Sequence, residues 1–104
     1  MQHEIHADSN NKTIAAKQGD EIMIRLEETP ATGYMWEVDE ITGNACEHLS
    51  SDYSLYADAA IGGGGTRTIS FRVNKNGNCR IRLKNWQRWT GDVYQRFDLG
   101  VTAE

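Results

Sequence analysis

The segment Glu21-Ile22-Met23-Ile24-Arg25-Leu26-Glu27 decides the fold class, because Ile22, Ile24 and Leu26 alternate with Glu21, Met23, Arg25 and Glu27. Successive side chains of a strand point to opposite faces, so strict period two marks a strand with one dry side and one wet side. The pattern recurs outward along the chain. Tyr34, Trp36 and Val38 alternate with Met35, Glu37 and Asp39, and Ile69, Phe71 and Val73 with Thr68, Ser70 and Arg72. Cys79, Ile81 and Leu83 alternate with Arg80, Arg82 and Lys84, and Phe97, Leu99 and Val101 with Arg96, Asp98 and Gly100. Weaker strands are expected at 2–7 and 12–16, with an irregular one within 46–57, and no window of eleven or more residues has helical periodicity. About eight half-buried strands predict an all-β, antiparallel sandwich.

The 104 residues suit a single domain, 1–104, with one core; 38% are hydrophobic and 25% charged, a globular mixture. Turn-rich stretches at 8–11, 17–20, 28–33, 41–45, 58–65, 75–78 and 88–92 separate the strands. Lys75-Asn76-Gly77-Asn78 reads as a tight hairpin, since Asn-Gly accepts positive φ. Gly100, inside a strand, predicts a bulge or a close approach. If successive strands run antiparallel, 28–33, 58–65 and 88–92 emerge at one end of the sandwich. They hold the least ordinary sequences in the chain, an arrangement suited to recognition.

The net charge of -4 argues against a nucleic-acid partner, although residues 59–104 carry eight basic residues against three acidic ones. Arg72, Arg80, Arg82 and Lys84 fall on the wet rows of strands, which accounts for most of that excess. No apolar run is long enough to cross a bilayer as a helix. The start, Met1-Gln2-His3-Glu4, lacks signal-peptide character, so the chain reads as cytoplasmic or as exported with its signal removed. Cys46 and Cys79 form no Cys-x-x-Cys pair and read as small buried hydrophobes. Both begin strands at the end away from the unusual loops, so a bridge between them is a second reading.

Each unusual loop has its own chemistry. In Thr29-Pro30-Ala31-Thr32-Gly33-Tyr34, Pro30 extends Thr29 and Gly33 permits a turn, leaving a small uncharged tip fit for a narrow cleft. Gly62, Gly63, Gly64 and Gly65 precede Thr66 and a strand, whereas a phosphate loop requires Gly-Lys-Ser/Thr and a helix. They read as a flexible linker or as bare backbone able to approach a partner closely. Asn85-Trp86-Gln87-Arg88-Trp89-Thr90-Gly91-Asp92 places two tryptophans beside an arginine, a binding hot-spot composition. Trp89, just before the Thr90-Gly91 turn, is the better candidate, and Trp86 is the more readily assigned to the core.

Catalysis finds no set of residues. His3 and His6 are three apart and face opposite sides of a strand, His48 stands alone, and no acid, base and nucleophile converge among the loops. No enzyme activity, metal or cofactor is expected.

The three loops, in this order and spacing, resemble the chagasin family of cysteine peptidase inhibitors. That family's motifs are Asn-Pro-Thr-Thr-Gly-Tyr/Phe, a Gly-x-Gly-Gly loop and Arg-Pro-Trp, matched here by Thr29 to Tyr34, by Gly62 to Gly65 and by Gln87-Arg88-Trp89. Thr29 stands for the motif Asn, Ala31 for its first Thr, and Gln87-Arg88 for Arg-Pro. These departures bear on affinity and target range more than on blocking mode. The resemblance implies an immunoglobulin-like sandwich and a monomer that excludes substrate from a papain-like cysteine peptidase without covalent chemistry. A different class of function, a carbohydrate- or peptide-binding module stacking ligand on Trp86, Trp89 and Tyr94, remains the alternative.

Overall fold

The computed structural model describes residues 1–55 and 64–104. Its strands are β1 (Gln2–Ile5), β2 (Lys12–Ala16), β3 (Glu21–Glu28), β4 (Met35–Gly43), β5 (Cys46–Leu55), β6 (Gly65–Val73), β7 (Gly77–Trp86) and β8 (Val93–Ala103). They form two four-stranded sheets, ordered β1-β3-β6-β5 and β2-β8-β7-β4. The predicted dry rows meet between the sheets: Ile22, Ile24, Leu26, Ile69, Phe71 and Val73 from one, Trp36, Ile81, Leu83, Phe97, Leu99 and Val101 from the other. Burying one face of each sheet against the other is the main stabilising term, and it explains why period two was so legible.

Three expectations need correction. First, the pairings are not all antiparallel: β1 runs parallel to β3 and β2 parallel to β8. The first two strands thus add to opposite sheets as edge strands instead of forming a hairpin. Second, Lys75–Asn78 closes no hairpin, because β6 and β7 belong to different sheets. The Asn-Gly pair still supplies a positive φ, at Gly77 (128°), but the chain there arches across the core. Asn74 N–H donates to Ala45 O at 2.7 Å and anchors that arch. Third, β4 runs on through 41–43, where a turn was expected, and a register shift between Val38 and Glu40 changes its alternation.

Gly100 is a close approach, as expected: a Cβ there would lie 2.7 Å from Thr13 Oγ1 of the neighbouring strand. Cys46 and Cys79 form a disulfide across the two sheets, with Cα atoms 6.3 Å apart, so the bridge and not the free-thiol reading holds. It sits beside the β4–β5 arch, at the end where Cys46 faces Val73 in register and Cys79 faces Gly43. Five of the eight basic residues of the second half are paired on the wet faces. Arg72 meets Glu21, Arg80 and Arg82 share Asp98, and Lys84 and Arg96 share Asp39.

Candidate functional site

The end opposite the disulfide carries the three loops. The first spans the sheets, since β3 and β4 belong to different ones, and the third closes the β7–β8 hairpin. The second joins the antiparallel neighbours β5 and β6, and Gly65 faces both Leu55 and Glu28 in register. The described ends of all three loops therefore lie side by side.

In the first loop Pro30–Thr32 form one 3-10 turn, entered from an extended Thr29 and left through Gly33 at φ 81°. Pro30 suits the turn's start because its fixed φ matches and its missing N–H would have no partner there. Thr32 closes the turn, its hydroxyl donating to Thr29 O at 2.7 Å and accepting from Tyr34 N–H at 3.3 Å. Thr29, Pro30, Ala31 and Thr32 are exposed, with the Ala31 methyl within this small tip. Tyr34 is half-buried. Its hydroxyl donates to Asp92 of the third loop, which raises the Tyr34 pKa above its ordinary value, with burial and the Asp92 charge adding to the effect.

The third loop supports the first. Gln87 Nε2 donates to Thr32 O at 3.2 Å, while Gln87 Oε1 accepts from Thr90 Oγ1 at 2.8 Å. Gly91 N–H donates to Gln87 O at 2.8 Å, and Gly91 takes a φ of 75°. The Trp89 ring lies against Gly33, where a Cβ would stand only 2.2 Å from it, and 72% of Trp89 remains exposed. Arg88 Nη2 pairs with Glu37 Oε1, and the same carboxylate's Oε2 accepts from the Trp86 indole N–H at 2.7 Å. Trp86 is half-buried on the outer sheet face with Lys84 Nζ 4.0 Å from its ring centre, so it is neither core nor a free stacking surface.

Of the glycine run, Gly62 and Gly63 lie outside the described residues. Gly64 precedes β6, and Gly65 is buried within it, its Cβ position occupied by Ser54 O (2.2 Å) and Tyr53 Oη (2.7 Å). That glycine answers a packing need at the base of its loop. Glu28 and Arg67 were not singled out from the sequence, yet they join the loop bases. Glu28, 3% exposed, accepts from Trp36 N–H at 2.7 Å and from Arg67 at 2.8 and 3.2 Å, and Tyr53 Oη donates to Glu28 O at 3.2 Å. The signal available was parity: Glu28 continues the row Ile22, Ile24, Leu26, and Arg67 precedes Ile69, Phe71, Val73.

His3 and His48 stay apart from the loops' chemistry, whereas His6 lines a cavity beside Thr29, Thr32 and Tyr34. His3 Nε2 is 2.8 Å from Asp20 Oδ2, and His48 Nε2 is 3.1 Å from Ser50 O. No cluster of three metal-ligating side chains occurs among the described residues.

The chain matches the family model described as chagasin family peptidase inhibitor I42 over residues 15–101. Amoebiasin-1 of Entamoeba histolytica (strain ATCC 30459 / HM-1:IMSS / ABRM) is 32% identical over 102 residues, covering 93% of this chain and 95% of that protein. The solution structure of amebosin is similar with a TM-score of 0.84 at 27% identity, over 100% of this chain and 99% of that one. The crystal structure of a cysteine protease inhibitor from Entamoeba histolytica shares the fold with a TM-score of 0.81 at 20% identity, over 99% and 95%.

Proposed function

Since the chain belongs to the chagasin family of peptidase inhibitors, we propose that it reversibly blocks the active-site cleft of papain-like cysteine peptidases. It is an inhibitor and not an enzyme. The proposed unit is one domain, 1–104, acting as a monomer, because a single copy carries all three loops. Thr29, Pro30, Ala31, Thr32, Gly33 and Tyr34 form the inserted wedge. In this reading Gly62, Gly63, Gly64 and Gly65 grip the peptidase on one side of the cleft, and Gln87, Arg88 and Trp89 on the other.

The observation that carries this reading is the buttress between two loops: Gln87 holds Thr32 O while Trp89 covers Gly33 and stays largely exposed. A tip held in place before binding loses little conformational freedom on entering a cleft. Ala31 brings no hydroxyl to the target's catalytic cysteine but keeps the tip small, so exclusion of substrate needs no chemical step. A stacking platform for sugars is not favoured, because Lys84 already covers the Trp86 ring.

The test is steady-state inhibition of a small panel of papain-like peptidases. Competitive inhibition that recovers on dilution is expected. Activity untouched at micromolar inhibitor across the panel would overturn the proposal.

A further inference from the structure

Beside the wedge, on the flank formed by β3 and β8, lies a cavity of about 650 Å³, which shares Thr29, Thr32 and Tyr34 with the wedge at its rim. Leu26 and Trp36, each 4% exposed, supply apolar and aromatic wall, and Tyr34 and Tyr94 supply two more rings, 5.6 Å apart and tilted by 51°. Asn85 also lines it. This side chain is 5% exposed; its Nδ2 donates to Gln95 Oε1 at 3.3 Å, but its Oδ1 accepts no hydrogen bond. The Trp36 indole N–H, by contrast, is satisfied by Glu27 O at 2.9 Å.

A buried acceptor with no donor is costly to maintain, and such atoms are rare in folded proteins. The cavity's size and its aromatic walls match the usual make-up of a small-molecule site, and His6, Arg25, Glu27 and Gln95 add a polar rim. We propose that this cavity binds a flat aromatic small molecule with one N–H or O–H donor. The donor meets Asn85 Oδ1, and the ring packs among Leu26, Trp36 and Tyr94. An amide oxygen at the base of an aromatic pocket selects for the donor and not merely for ring size, because an isostere without it leaves Asn85 unpaired.

The experiment is an NMR titration of the full chain with indole and with benzofuran, which replaces the indole N–H by an oxygen. Indole is expected to shift signals of Leu26, Trp36, Asn85 and Tyr94 saturably, with an affinity about tenfold above that of benzofuran. Asn85→Leu should abolish that preference. Should that variant fail to fold, Tyr94→Ala, altering a ring that is 68% exposed, should weaken both ligands and preserve the preference. Equal affinities on the wild-type chain, shifts mapping elsewhere, or no saturation below about 10 mM indole would each overturn the proposal. No peptidase enters the measurement, so its outcome is independent of the inhibitory reading.

Discussion

Arg67 grips Glu28 through two hydrogen bonds, Nε to Oε1 at 3.2 Å and Nη2 to Oε2 at 2.8 Å, at a carboxylate only 3% exposed. Glu28 is the last residue before the wedge, and Arg67 follows the glycine loop by two positions. Their bond fixes the root of one loop to the root of another, and Trp36 N–H on Glu28 adds the far side of the wedge. Removing one member of a buried pair leaves the other charge without compensation. Glu28→Ala should therefore destabilise the protein by about 3 kcal/mol or more in urea unfolding. Inhibition by the remaining folded fraction should also weaken, since the loop roots are no longer tied.

Trp89 and Gly33 act as a pair. Trp89→Ala should weaken peptidase inhibition by about 2 kcal/mol, roughly thirtyfold in the inhibition constant. Gly33→Ala faces two obstacles, a φ of 81° and the Trp89 ring at 2.2 Å, and should cost at least about 1 kcal/mol of stability. In the double variant the ring is gone, and the backbone strain and a close approach to Gln87 Nε2 at 3.2 Å remain. Its loss of inhibition should be smaller than the sum of the two single losses, and strict additivity would remove the proposed contact.

The Cys46–Cys79 bridge joins residues 33 apart in sequence. Closing a loop of that length restricts the unfolded chain enough to stabilise the fold by roughly 3–4 kcal/mol. The double variant Cys46→Ala, Cys79→Ala should show that loss in chemical denaturation. Because the bridge lies at the end away from the loops, the folded variant should inhibit as the wild type does at temperatures below its transition.

Acid should destabilise the protein partly through Asp20. Its carboxylate accepts from His3 and from Lys17 N–H at 3.0 Å, and these bonds lower its pKa from 3.8 to about 2. A group whose folded pKa is depressed contributes stability that is fully present above its unfolded value and lost as pH falls through the folded one. The Asp20 contribution should thus disappear between about pH 4 and pH 2. Urea midpoints measured across that window should fall less steeply for Asp20→Asn than for the wild type.

Alternation along β3, β6, β7 and β8 made the two-layer fold readable, since each strand has one dry row and one wet row. Alternation says which face is dry but not which strand lies alongside. The parallel pairs β1–β3 and β2–β8 and the arch at Lys75–Asn78 were accordingly out of reach. Ile14 and Ala16 look the same whether their strand joins one sheet or the other. In the candidate site, the small tip, the glycines and Trp89 stood out by composition. Glu28 and Arg67, which tie the loop roots, and Asn85 on the cavity did not, because they are polar side chains at inward positions of rows that otherwise read as core. Polarity at inward parity was the signal, and it marks every one of these three.

The wedge bridges the two sheets, while its neighbours belong to one sheet each: the glycine loop to β5 and β6, the Trp89 loop to β7 and β8. The lateral spread of the three is thereby tied to the thickness of the hydrophobic layer, about 10 Å in packed sheets. Enlarging or trimming Leu26 or Trp36 changes the gauge of the tool without touching its cutting edge. Discrimination between broad and narrow peptidase clefts can then be tuned from the interior, by residues that never meet the target.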